Sequence, residues 1–225
     1  MKCQAEKAVI DKGVRILYAE VENIDNTHYA EGWKEDREKR MEAIKASIQD
    51  LDVHADPILE GYNLLHDAFG VKRRKTIPAS ENLIRLVRKN GDLFSVNQAV
   101  DIYNLISLES KLALGAHDID HIDGNFTLRL TDGSESFIPI GQSESIGVKA
   151  GEYCYCDDSN AVLCRLEVRQ VEKTKVTEET RNIVYIVQGN EATPYELLRK
   201  TAEKIIADTT KYCGGNGKVI EPGII

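Results

Sequence analysis

Ten residues, GAHDIDHIDG at positions 115–124, concentrate more chemistry than any other stretch of this chain. His117, Asp118, Asp120, His121 and Asp123 offer imidazoles and carboxylates within seven positions. Such a set suits a metal site, an acid–base pair or a polar turn. A calcium loop needs ligands at positions 1, 3 and 5 and glycine at 6. Counting from Asp118 puts Ile122 at 5 and Asp123 at 6, so that frame fails. His117 and His121 have the i, i+4 spacing of two zinc ligands on a helix. Gly115 and Asp123–Gly124 border the segment, however, so a turn leading into a strand is expected.

His-Asp pairs stand at His66–Asp67 and His117–Asp118, the dipeptide of metal-dependent phosphohydrolases. That chemistry needs an all-helical frame, which this sequence does not provide. No metal site and no cofactor is therefore expected. No phosphate-binding glycine loop, dinucleotide fingerprint or GxSxG elbow occurs.

Three further constellations carry polar chemistry. Asn97, Asp101 and Asn104 fall in one row of a helix, either pinning neighbouring loops or lining a pocket. Arg165, Glu167 and Arg169 alternate along a strand, as a charged outer face or as a grip on a carboxylate or phosphate. Lys72, Arg73, Arg74, Lys75, Arg85, Arg88 and Lys89 form the one concentrated basic region, suited to RNA phosphates or to a solvated face. No stacking aromatics are interleaved with it.

The elements that must position these groups are legible in outline. Residues 7–23 read as two short strands around a turn at 11–13, the second apolar on both faces. Helical spacing follows over 33–51, with Met41, Ile44, Ile48 and Leu51 in phase, and again over 56–70, closed by Gly70. Pro78 and Ser80 open a helix running through Lys89. Ser95 and Gln98 form a capping box for a helix over 95–112, with Val96, Val100, Tyr103 and Ile106 as its apolar stripe.

From residue 125 the period becomes two. Residues 126–131 form a strand with a hairpin turn at Asp132–Gly133, and 151–170 form a strand pair turning at 157–160. Residues 180–189 are a further strand. Thr193, Pro194 and Glu196 start a last helix, and 213–225 is a tail with at most a docking strand. Helices first and strands second give an α+β class.

At 225 residues the chain can bury a substantial core. Its net charge of −8 argues against binding nucleic acid through the whole surface. Five cysteines with no CxxC pair suit a reduced, cytoplasmic protein, with Cys154 and Cys156 on one buried strand face. No secretory leader or membrane span is expected.

The run FSVNQAVDIYNLISLESKLALGAHDID, through Val96, Asn97, Val100, Asp101, Ile102 and Asn104, resembles the B3/B4 domain of the phenylalanyl-tRNA synthetase β-subunit. Val176, Thr177, Thr180, Asn182 and Ile183 match a second stretch of that domain. Stand-alone proteins of this type are closer still, through Arg169, Gln170, Thr174, Val176, Thr177, Thr180 and Asn182. The resemblance covers roughly residues 80–210.

It implies a B3/B4-like domain over 80–212, a largely helical N-terminal extension over 1–79 and a tail over 213–225. In the synthetase this domain hydrolyses tRNA mischarged with tyrosine. The chain is thus expected to associate with tRNA or aminoacyl-tRNA, not with DNA or membrane. It would be a trans-acting hydrolase, a non-catalytic tRNA-binding module or an amino-acid binder that has lost tRNA. The resemblance also implies a pocket drawing on Asn97, Asp101, Asn104, His117, Asp118, Arg165, Arg169, Gln170, Thr180 and Asn182. Gly115 stands at the family's histidine, Ile186 at its tyrosine-reading glutamate and Gln170–Val171 at its double glycine.

Overall fold

Strand alternation over Ile183–Gly189 sends Ile183, Tyr185 and Val187 to one face and Val184 and Ile186 to the other, and both faces are buried. A strand apolar on both sides must lie between two layers, and this one organises the molecule. The computed structural model describes every residue except Arg74 and Lys75. In chain order the elements are β1 (Cys3–Ala5), α1 (Lys7–Ile10), β2 (Arg15–Glu22), α2 (Trp33–Ile48), α3 (Pro57–Ala68), α4 (Ala79–Asn90) and α5 (Gln98–Ser110). There follow β3 (Ala113–Asp118), a 3-10 turn (Ile119–His121), β4 (Phe126–Leu130), β5 (Tyr153–Cys156), β6 (Val162–Arg165), β7 (Arg169–Gln170) and β8 (Ile183–Gly189). The last are α6 (Tyr195–Cys213), β9 (Asn216–Ile220) and β10 (Gly223–Ile224).

One antiparallel sheet has the order β3-β8-β2-β9, and the other has the order β10-β1-β4-β5-β6-β7. Leu17, Ala19 and Val21 of β2 join β8's first face against helices α2, α4, α5 and α6. Ile16 and Tyr18 join its second face against Phe126, Leu128, Tyr155 and Leu163 of the six-stranded sheet. The result is three layers, helices on sheet on sheet, with two apolar cores. The α+β class holds.

Local expectations fare unevenly. The helices near 33–51 and 56–70 form as expected, the second capped by Asp56, whose side chain accepts from the Ile58 and Leu59 amides at 3.0 and 3.1 Å. The turn at 157–160 joins β5 to β6 as expected. Several others are corrected. Residues 7–10 are a helical turn and not a strand. Asn97, not Ser95, caps α5, so Val96 lies outside the helix and is exposed. Ser80 lies inside α4 and is buried. Thr193 does not cap α6; its hydroxyl accepts from the Asn190 amide.

β4 makes no hairpin at Asp132–Gly133 but pairs with β5, some twenty residues on, because Arg129 and the backbone amides of Asp132 and Gly133 converge on the buried Glu135 carboxylate and turn the chain away. The segment expected as a tail carries two strands, β9 on β2 and β10 on β1. β2, from the expected extension, lies between β8 and β9. Among the described residues no helix is long and apolar enough to cross a membrane.

Candidate functional site

Positions 115–118, expected as a turn, are the end of β3, and only Ile119–His121 turn. In register with β8, Gly115 pairs with Ile186 and His117 with Val184. The two positions that the resemblance sets at a histidine and a glutamate therefore sit side by side, at the seam between the sheets. A Cβ on Gly115 would stand 2.7 Å from Gln170 Nε2 and 3.9 Å from Ile186 Cδ1. The Gln170 amide fills the space that glycine leaves. Burial raises the pKa of the Tyr103 hydroxyl to about 12.

His117 is fully buried beside this gap. Its Nδ1 lies 2.7 Å from Thr174 Oγ1, while Nε2 has no partner among the described residues. Burial lowers its pKa to about 3, so the ring is neutral. It packs 5.5 Å from the Phe126 ring, as does Tyr18, whose hydroxyl is also buried without a partner.

The neighbouring polar residues tie loops together. Thr180 Oγ1 donates to Asp118 Oδ2 at 2.7 Å, and the Asp120 amide to Oδ1 at 3.0 Å. Asn182 Nδ2 holds both Asp120 oxygens, and its Oδ1 accepts from the Asn23 amide. Asn97 accepts from the Val100 amide and donates to the Val176 carbonyl. Asp101 accepts from the Tyr29 hydroxyl and the Val96 amide, each at 2.9 Å. Asn104 borders a dimple with Arg37, Phe94 and Asp101, away from the seam. Buried polar groups need such partners.

The expectation that Arg165, Glu167 and Arg169 share one strand face is corrected. β6 ends at Arg165, Leu166 takes a left-handed φ of 54°, and the chain doubles back as β7. Arg165 forks onto Glu152 at 2.7 and 2.9 Å, Arg169 is exposed, and Glu167 turns inward. Glu167 Oε1 lies 2.8 Å from His66 Nε2, and Oε2 accepts from the Tyr153 hydroxyl. Gln188 bridges the Tyr153 and Tyr155 hydroxyls. Burial disfavours charge on His66, yet the Glu167 carboxylate raises its pKa above 6.5. Burial likewise opposes the Glu167 charge, and His66 with the Tyr153 hydroxyl more than offsets it, lowering its pKa. Sequence reasoning missed this network. Its members lie on α3, β5, β8 and the three-residue turn between β6 and β7, and only folding makes them neighbours.

In the basic region, Lys72 is exposed, and Arg73 pairs with Asp67 at 2.5 Å and Glu60 at 2.7 Å. Arg85 pairs with Glu81, and Arg88 donates to the Ile48 and Leu51 carbonyls at the end of α2. Arg74 and Lys75 lie outside the described residues.

Chemically, the seam offers a neutral imidazole and amide donors but no thiolate. All five cysteines are buried and unpaired, with burial pushing Cys3, Cys156 and Cys213 to about 12 and Cys154 and Cys164 further. Among the described residues no group of three or more His, Cys, Asp or Glu could hold a metal ion.

Comparison with known proteins places this geometry. The chain is 29% identical over 152 residues to the phenylalanine–tRNA ligase beta subunit of Fusobacterium nucleatum, covering 67% of this chain and 18% of that protein. It spans about a fifth of that relative's length. Its fold is similar to an N-terminal fragment of the phenylalanyl-tRNA synthetase beta-subunit from Pyrococcus horikoshii, with a TM-score of 0.50 at 15% identity, covering 100% of this chain and 51% of that one. The B3/4 domain family model matches residues 67–210, well over half of the sequence, and the chain belongs to that family.

Proposed function

We propose that this chain is an aminoacyl-tRNA-associated module acting in trans, with the amino-acid-bearing end received at the seam between β3, β8 and β7. The observation that carries the reading is the Gly115 gap. There the Gln170 amide stands 2.7 Å from where a Cβ would be, and a shift of that flexible side chain opens space beside the free Nε2 of His117. The likeness to a phenylalanine–tRNA ligase beta subunit supports an aminoacyl-tRNA as the substrate class. Ester hydrolysis there needs no side-chain nucleophile: a water positioned by amide and imidazole groups, with backbone N–H groups facing the oxyanion, provides orientation and charge stabilisation. Ile186 in place of a carboxylate removes the means of reading a tyrosine hydroxyl, so the amino acid discriminated here is apolar. Lys72, Arg73, Arg85, Arg88 and the exposed Arg169 are the proposed phosphate contacts.

The experiment is hydrolysis of a panel of correctly and wrongly charged aminoacyl-tRNAs, with protein in excess. Selective release of one amino acid, lost in Gln170→Ala and His117→Ala, is expected. Salt-sensitive tRNA binding without release would reduce the module to a binder. Neither release nor binding would overturn the reading. A second reading, an amino-acid binder without tRNA, draws support from the engagement of Arg73, Arg85 and Arg88 inside the chain and from the charge of −8.

A further inference from the structure

A cleft of about 330 Å³ opens between α3, the turn before β2 and the loop after β8. The helical face Gly61, Leu64, Leu65 and Ala68 of α3 forms one wall, and the loop Asn190–Ala192 between β8 and α6 forms another. The turn Lys12–Gly13 before β2 closes one end. The loop side of this cleft is held in place. A Cβ on Gly61 would collide with the Asn190 amide, and that amide is fixed by donating to the Ile58 carbonyl at 2.8 Å and accepting from the Ala192 amide at 3.1 Å. The helix and the loop therefore approach as closely as glycine allows, and the cleft between them is preformed.

Its lining is apolar along α3, with Leu64 left 59% exposed at the rim. Its charges gather at the Gly13 end. Lys12 Nζ donates to the Ala68 carbonyl at 3.3 Å and lies 4.5 Å from the centre of the Phe69 ring, which leaves two of its three N–H donors free. Glu191 packs against Gly13, its Oε2 3.9 Å from where a Cβ would stand, and no described side chain pairs with it. Lys12 is drawn toward α3 and does not meet Glu191. One cation and one anion thus border the same end of a small apolar cleft, each with bonding capacity left over. The ligand that complements this arrangement carries a carboxylate and an ammonium on one carbon and an apolar body beyond them.

We propose that the cleft binds a free α-amino acid with an aliphatic or aromatic side chain. Its carboxylate meets Lys12, its ammonium meets Glu191, and its side chain lies along Leu64, Leu65 and Ala68. The volume is at the small end of ligand pockets, which suits one amino acid. The site does not depend on the reading of the seam.

Isothermal titration of the full chain with free leucine, isoleucine, valine, methionine and phenylalanine tests it. At least one is expected to bind. Lys12→Met and Glu191→Gln, both at the surface, are each expected to weaken binding about tenfold or more, and Leu64→Asp to abolish it with the circular dichroism spectrum unchanged. The carboxamide of the best ligand is expected to bind the parent and Lys12→Met equally, and its N-acetyl form the parent and Glu191→Gln equally. Gln170→Ala, at the seam, is expected to leave the affinity unchanged. Absence of binding at millimolar ligand overturns the proposal. So does binding indifferent to both charge variants, or binding lost in Gln170→Ala, which would move the ligand to the seam.

Discussion

His66 and His117 are both fully buried, yet the fold treats them in opposite ways. His117 meets a threonine hydroxyl and aromatic rings, so desolvation acts unopposed and the ring stays neutral. His66 meets a carboxylate at 2.8 Å, and that charge outweighs desolvation and favours the protonated ring. Burial alone does not set the state of an imidazole; the sign of its nearest charge does. The difference matches two purposes. The His66–Glu167 pair bolts α3 to the β6–β7 hairpin, whereas His117 leaves a polar nitrogen free at the seam.

Removing the partners should separate the two most sharply. Glu167→Ala strands His66 beside the Tyr153 hydroxyl in an apolar core, and a loss of about 3–5 kcal/mol is expected in urea unfolding at neutral pH. In Glu167→Gln the His66 ring, followed by NMR, should titrate below 6.5; a value still above it would remove the carboxylate from the explanation.

The pH dependence of stability comes next. Between pH 6.5 and about 3 the unfolded chain takes up the His117 proton and the folded chain does not, so stability falls as pH falls. His66 has the opposite sign. Its contribution is complete below pH 6.5 and is lost as pH rises through its folded value. From pH 6.5 to 5 only His117 changes the balance of the two, at up to ~1.4 kcal/mol per pH unit. His117→Phe should flatten that slope; an unchanged slope would place its origin elsewhere.

Thr174→Val removes the only hydrogen bond that the His117 ring makes among the described residues and should cost about 1 kcal/mol, far less than Glu167→Ala, because a neutral pair is broken and not an ionic one. The smallest effect belongs to Gly115→Ala. Its Cβ meets the far end of the flexible Gln170 side chain, so about 1 kcal/mol or less is expected in thermal unfolding. The same change should suppress any binding at the seam.

The sequence alone determined the periodicities. The segment from Val14 read as a strand apolar on both faces, residues 180–189 as a further strand, residues 33–51 and 56–70 as helices, and 157–160 as a turn, because each is specified by local spacing or turn chemistry. The Asn97–Asp101 and Thr180–Asn182 motifs were also sufficient to identify the family. Caps were less legible. Ser95 and Thr193 have capping chemistry, but Asn97 is held by the distant Val176 carbonyl, and the Thr193 hydroxyl accepts instead from the Asn190 amide three residues before it. Tertiary structure alone decided that Gly115 lies opposite Ile186 with Gln170 between the sheets, that Glu167 turns inward to His66, and that Lys12 and Glu191 share one cleft. Those pairings join residues scores of positions apart, and no local period encodes them. They follow from closing two sheets and a helical layer around two apolar cores, which fixes the partner of every buried polar group.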